Sequence, residues 1–459
     1  MTVQYLFFFA QAHHEFRIPE LLSLSEMFGF DLNLPENPED RKSTRPFLIV
    51  GLQCEKHAQL LASRSILIKS VYEYYGHGST YEELHLCNRR NRAKWAKYIP
   101  DTSFKFLVTA YNHKIPQSRQ REIVESFAYM GFLGKIDMKN PDIELACFEE
   151  RKSYIDRHGT TREKHEGDGS FRQVYFGRLI TTGSARSLIT KFDVKKRSYY
   201  GNTSMEAEIS LLMANQTLAS PGKLIYDPFM GTGSMAYPTA YFGAQIFGSD
   251  IDGRQMRGKG DTPGIIRAAT QYGVATRIVD LCTFDITQNP WRCGDLFDAI
   301  ITDPPYGVRA GAKRLGRKRE LSPARMAAYL EHRASPRPDD QPYIPPTKPY
   351  ELSRLAVDLV LLSRYLLKPG GRLVFFLPTV TDEYEEVDIY SMLCPGMGVI
   401  ANSLQDFGSW GRRLVTIQKT TSDTYLPPVL ETQEPPERPH VPAHKDFREK
   451  YFRGFKPDS

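Results

Sequence analysis

Four consecutive residues, Asp303, Pro304, Pro305 and Tyr306, close the apolar run "DAIIT" and carry the strongest chemical signal in the sequence. An exocyclic amine on a nucleobase is a poor nucleophile, because its lone pair is delocalised into the ring. A carboxylate at Asp303 accepting one N–H, with the Pro304 carbonyl accepting the other, favours a pyramidal nitrogen and aims the lone pair at a methyl donor. The two proline rings hold that carbonyl in place, and Tyr306 offers a stacking face for the base. The alternative is a Pro-rich loop that only closes a strand.

Three other strand ends bear on the choice. The run "LIYDPFMGTGS" ends an apolar strand at Asp227 and sets Gly231 and Gly233 in a tight turn before a helix. Glycines there let backbone approach a ligand, with helix N–H groups directed at it. The pattern lacks the full G-x-G-x-x-G spacing, which argues against NAD or FAD. Asp250 in "IFGSDID" follows Gly233 by 17 residues, where an acid in a doubly wound fold bonds ribose hydroxyls. Asp285 in "TFDIT" ends the next strand, placed to accept from an adenine amino group. Taken singly, each acid reads equally as a loop or N-cap residue. Together they outline a pocket for an adenosine-containing cofactor along the carboxyl edge of a sheet.

The elements that must position these residues alternate strand and helix from residue 191 to 423, which predicts an α/β Rossmann-like domain with a parallel, doubly wound sheet. Residues 309–350 interrupt that rhythm as a basic, Pro-rich insertion. Residues 1–98 read as a small α+β region and 99–180 as a second α+β unit, while 424–459 form a Pro-rich tail ending in the basic, aromatic "HKDFREKYFRGF", which could dock back as a helix. Trp410 reads as a packing residue in preference to a cap on the cofactor pocket.

Basic residues crowd the far side of the Asp-Pro-Pro-Tyr turn: Arg309, Lys313, Arg314, Arg317, Lys318 and Arg319. A nucleic acid entering the pocket passes there, and phosphate contacts would position it while the pocket selects the base. A solvated surface run is the bland alternative. A second basic stretch with aromatics, residues 87–98, reads either way.

The chain has 459 residues, 41% hydrophobic and 25% charged, with a net charge of +6, which excludes global disorder and permits a polyanionic partner. Its six cysteines are scattered without metal-ligand spacing, so no metal site is expected and reduced thiols in the cytoplasm are the default.

In order, "DPFMGTGS", "GSDID", "FDI" and "DPPYG" resemble the S-adenosylmethionine-dependent amino-methyltransferases of the Rossmann-like class. More narrowly, "YYGNTSMEAEISLLMANQ" and "DPPYGVRAGAKRLGR" resemble the tRNA guanine-N2 methyltransferases that act on guanine 10. That resemblance implies a ferredoxin-like region and a THUMP domain in the N-terminal half, and tRNA as partner. It implies that Asp227, Phe229, Gly231 and Gly233 line the methionine side of the cofactor, with Thr203 and Ser204 near its carboxylate. It also implies a small zinc-binding activator subunit. Two rivals stay open: an adenine N6-methyltransferase on DNA or RNA, since the same four residues serve adenine amines, and a non-catalytic RNA-binding scaffold.

Overall fold

The computed structural model describes residues 2–42, 44–111, 114–151, 154–155, 161–162, 171–258, 264–308, 311–317, 321–335, 345–430 and 441–454. The chain divides into two compact units, one of residues 1–17 and 28–186, the other of 18–27 and 187–459. No helix among the described residues is long and apolar enough to cross a membrane.

The first unit is built on one sheet. Its strands are β1 (Val3–Phe9), β2 (Phe47–Leu52), β3 (Ile68–Gly78), β4 (Phe104–Tyr111), β5 (Ile143–Arg151) and β8 (Phe171–Thr182). A separate two-stranded ribbon is formed by β6 (Tyr154–Ile155) and β7 (Thr161–Arg162). The six strands run in the order β2-β1-β3-β8-β5-β4, antiparallel except for β4 beside β5. The break expected at residue 98 therefore falls within a single sheet, because β3 pairs with β8 across it. Helix residues Leu84 and Trp95 and the aromatics Tyr75, Phe127 and Phe176 fill one core, while Leu6, Tyr72 and Phe148 belong to another.

The second unit carries β9 (Leu224–Asp227), β10 (Gln245–Asp250), β11 (Ile278–Thr283), β12 (Phe297–Thr302), β15 (Leu367–Val380), β16 (Met397–Asp406) and β17 (Trp410–Lys419) in one sheet, and a ribbon of β13 (Lys313–Leu315) with β14 (Thr347–Pro349). The sheet order is β11-β10-β9-β12-β15-β17-β16. The first five strands are parallel, whereas β17 runs antiparallel to both β15 and β16. The parallel, doubly wound sheet expected from sequence is present, with β17 as its antiparallel strand. A short hairpin joins β16 to β17, and a connection that short fits only antiparallel neighbours. β16 itself gave no strand signal, since most of its residues are at least partly exposed and its apolar positions do not alternate.

One helix sits apart from its sequence neighbours. Arg17–Phe28 begins in the first unit, yet residues 18–27 pack in the second. Leu21 and Leu24 are fully buried there. The buried Arg372 guanidinium donates to Ser23 Oγ at 3.0 Å and to Glu26 Oε2 at 2.5 Å, and Asn215 Nδ2 donates to Glu20 Oε1 at 2.7 Å. A buried guanidinium left without these acceptors would be costly, so the helix is held by polar as well as apolar demand.

Candidate active site

The chain moves outward from β9 through β10 to β11, then returns to the other side of β9 with β12. A doubly wound sheet opens a crevice at such a reversal, outside the carboxyl ends of the strands. A cleft of about 900 Å³ lies there, lined by Thr203, Ser204, Phe229, Gly231, Asp250, Asp303, Pro304, Pro305 and Tyr306, among others.

The turn after β9 shapes one part of it. Gly231 has φ +50° and Gly233 φ +78°, in the left-handed region that side chains resist. A Cβ on Gly233 would also stand 3.0 Å from the Tyr237 hydroxyl, whereas one on Gly231 would meet nothing nearer than Phe229 O at 3.9 Å and would project into open space. The Asp250 carboxylate stitches this turn to β10: Gly231 N–H donates to Oδ2 at 2.9 Å and Asp252 N–H to Oδ1 at 2.8 Å. Each oxygen keeps a lone pair for a further donor. Ser204 joins the same surface, hydroxyl to hydroxyl with Thr232 at 2.8 Å, and its Oγ accepts from Gly201 N–H at 2.9 Å.

Asp303 directly follows β12 at the floor of the cleft. The Tyr306 hydroxyl donates to its Oδ1. Burial pushes the Asp303 carboxyl above its usual range, opposed by the Arg412 guanidinium and by the Tyr306 hydrogen bond. Burial and then the adjacent carboxylate push the Tyr306 hydroxyl up, which keeps it a donor. Arg412 is fixed in turn: Nε donates to Gln405 Oε1 at 2.7 Å, Nη2 to Glu206 Oε1 at 3.0 Å, and the guanidinium lies 4.6 Å from the Phe376 ring centroid.

Two family models match the chain: "Tmrp11 THUMP N-terminal domain" over residues 3–186 and "RMKL-like, methyltransferase domain" over 195–332. The tRNA (guanine(10)-N(2))-methyltransferase of Schizosaccharomyces pombe is 37% identical over 421 residues, 91% of this chain and 82% of that one. Its namesake in Saccharomyces cerevisiae is 35% identical, covering 98% of this chain and 99% of that one, and the human protein TRMT11, of the same name, is 31% identical over 98% and 95%. The chain belongs to the tRNA (guanine(10)-N(2))-methyltransferase family.

Not every family-motif residue reaches the cleft. Asp227 is wholly buried beneath it; Oδ1 accepts from Phe229 N–H at 3.0 Å and from the Thr302 hydroxyl at 2.9 Å, while Oδ2 has no partner among the described residues. Gly233 sits behind the turn, against Tyr237. Asp285 does not line the cleft: its Oδ1 accepts from Thr287 N–H at 2.9 Å and its Oδ2 from Leu315 N–H at 2.5 Å. It ties the end of the β11 segment to the β13 ribbon. The basic insertion also differs from a free loop. Lys313 lines the cleft, but the Arg314 and Arg317 guanidiniums lie over the rings of Tyr350 and Tyr329, at 5.7 and 4.0 Å. Arg309, Lys318 and Arg319 lie outside the described residues.

Sequence reasoning missed Glu206, Phe407 and Arg412, and preferred packing over a cap on the cofactor pocket for Trp410, yet all four line the cleft. The signal present was "SWGRRL", whose Trp-Gly-Arg-Arg is unusually polar for the start of a buried strand.

The buried Asp227 gives a test of this geometry. Burial pushes its carboxyl up to about 8. The folded chain then holds a proton that the unfolded chain releases near pH 4, so stability falls as pH rises from there through 8. In cofactor-free protein, Asp227→Asn removes this slope. Chemical denaturation at pH 5 and pH 9 should show wild type losing stability relative to the variant, by on the order of a few kcal/mol.

Proposed function

We infer that this chain is the catalytic chain of an S-adenosyl-L-methionine-dependent enzyme that methylates the N2 amine of guanine 10 in tRNA. The observation that carries the reading is Asp303. Its carboxylate stands at the reversal point of the sheet with Oδ1 held by Tyr306, leaving Oδ2 to the substrate.

The residues fit the cofactor. The space above Gly231 is open where a side chain would fill it, Asp250 offers acceptors suited to ribose hydroxyls, and Thr203 and Ser204 offer hydroxyls suited to a carboxylate. Phe229 gives an apolar wall. When bound, S-adenosyl-L-methionine supplies an electrophilic methyl group on a sulfonium.

The protein's part is orientation. Asp303 accepts one N–H of the guanine amine and the Pro304 carbonyl the other, which frees the nitrogen lone pair for attack. Pro305 stiffens the turn. Tyr306, expected to be a stacking face, fixes the carboxylate through its hydroxyl while its ring still lines the cleft. After transfer, the surplus proton leaves the nitrogen for Asp303 or solvent.

The ionised carboxylate is the working form, so activity falls as pH drops through the raised Asp303 pKa. Arg412→Ala removes the cation that lowers this pKa. The acid limb of the kcat/KM profile should move to higher pH, with a larger deficit at pH 6 than at pH 9; an unmoved limb would separate Arg412 from Asp303.

A small zinc-binding activator subunit is part of the proposal. Among the described residues β11 is an outer strand of the sheet with Val279 54% exposed, and an edge of this kind suits a covering protein. Soluble, fully active enzyme from this chain alone would remove that partner. The six free thiols suit the reducing cytoplasm.

The deciding experiment is transfer of labelled methyl from S-adenosyl-L-methionine to unmodified tRNA, followed by nucleoside analysis. N2-methylguanosine at position 10 is expected. Label in N6-methyladenosine would replace the reading with its adenine rival.

A further inference from the structure

Part of the cleft wall comes from the far end of the chain. Phe447 and Tyr451, on the helix Phe447–Arg453, line the same cleft as Asp303. Trp410 is packed among Phe407, Phe447 and Tyr451, with ring centroids 4.6, 5.6 and 5.6 Å away, Tyr451 meeting it edge-on. The stem of Arg448 lies over Gly307, whose missing Cβ would stand 3.2 Å from Arg448 Cβ. Gly307 immediately follows Tyr306, so the helix rests on the catalytic turn itself.

Further anchors hold the segment down. Lys450 pairs with Glu383, and Ala443 N–H donates to the buried Asp388 Oδ2 at 3.1 Å. A helix of seven residues is too short to persist alone, so this packing is what orders it. Its outer face is a different surface, with Lys445, Arg448, Phe452 and Arg453 all exposed. Cations interleaved with an aromatic side chain suit a nucleic-acid strand, phosphates to the former and bases to the latter.

We propose that the C-terminal segment 441–454 is a tRNA-recognition element of the active site, in which Tyr451, backed by Trp410, is the face on which the target base stacks. Lys445, Arg448 and Arg453 meet the phosphates beside it. This rests on the cleft taking a tRNA base at Asp303. A base turned out of its stack presents two π faces; the Tyr306 ring lines the cleft for one, and Tyr451 lines the same cleft for the other. The cleft keeps about 900 Å³ with the helix seated, near the top of the range for sites that hold whole small molecules. The helix is therefore a wall and not a plug.

The test uses the full chain, Tyr451→Ala, Tyr451→Phe and a deletion of residues 441–459. Steady-state methyl transfer to tRNA is measured beside calorimetric affinity for S-adenosylhomocysteine. Tyr451→Ala should raise KM for tRNA roughly tenfold, Tyr451→Phe should restore it, and S-adenosylhomocysteine affinity should stay within about twofold of wild type. A tRNA carrying 6-thioguanosine at position 10 should crosslink, under near-ultraviolet light, to the peptide containing Tyr451; this needs no turnover. An unchanged KM in Tyr451→Ala, a crosslink elsewhere, or equal loss of S-adenosylhomocysteine binding would overturn the proposal. Faster turnover in the deletion would make the helix a plug and overturn it too. Label in adenosine with the KM effect intact would overturn the guanine reading and leave Tyr451 as the stacking face.

Discussion

Asp303→Ala lowers methyl transfer to tRNA roughly a thousandfold while S-adenosylhomocysteine still binds within about twofold of wild-type affinity. The split follows from where the side chain stands. Asp303 directly follows β12 with Oδ1 held by Tyr306, whereas the surface proposed for the cofactor is the separate Gly231 turn tied to Asp250. Removing the carboxylate leaves the guanine amine planar and its lone pair delocalised, so only orientation and charge at the reacting nitrogen are lost. Asp303→Asn should fall between wild type and Ala, because its amide oxygen still accepts one N–H without the charge. Tyr306→Phe should cost about tenfold through a looser carboxylate. Single-turnover rates with saturating tRNA, beside calorimetry, read all three. Equal loss of cofactor affinity in Asp303→Ala would mean the residue supports the fold of the cleft and not the reaction.

Gly231→Val should weaken S-adenosylhomocysteine binding by at least about a hundredfold, the second large effect. Two causes combine. The backbone at φ +50° costs a β-branched residue on the order of 1–2 kcal/mol. The new side chain also enters open space in the cleft, where nothing but Phe229 O lies within 4 Å. Gly222→Ala separates the two: it has φ +87°, open surroundings and an exposed position away from the cleft. That variant should lose comparable stability and keep cofactor affinity. Should Gly231→Val bind normally, the cofactor would have to lie elsewhere in the cleft.

Strand ends were the legible part of this protein. Asp250 and Asp303 each follow an apolar run and a fold rule that puts strand termini beside ligands, and both line the cleft. Asp227 and Asp285 obey the same local rule but not the same outcome. Asp227 is roofed over by its own glycine turn, and Asp285 is claimed by Leu315 N–H from an insertion 30 residues on. An acid at a strand end cannot announce whether a later loop will use it. Arg412 was illegible for a related reason. Its partner Glu206 lies 206 positions away, and what joins them is the antiparallel return of β17, a pairing that no local periodicity encodes. The ring cluster around Trp410 draws on residues 407–410 and 447–451; the basic, aromatic end of the tail suggested a helix that docks back, but not where it would dock. Arg314 and Arg317 show the limit of charge counting, because each guanidinium spends one face on a tyrosine ring.

The helix at residues 18–27 sets a timing problem for synthesis of the chain. Ser23 and its donor Arg372 are 349 positions apart. At bacterial to eukaryotic elongation speeds of roughly 5–20 residues per second, the helix leaves the ribosome about 20–70 s before its buried guanidinium partner exists. Leu21 and Leu24 stay uncovered through that interval, and the sheet of the second unit cannot finish one of its faces until a piece made at the very start is brought in. A fragment beginning at residue 187 would lack that piece altogether, leaving Arg372 without Ser23 and Glu26. Supplying residues 1–186 on a second chain should then rescue solubility only through those ten residues.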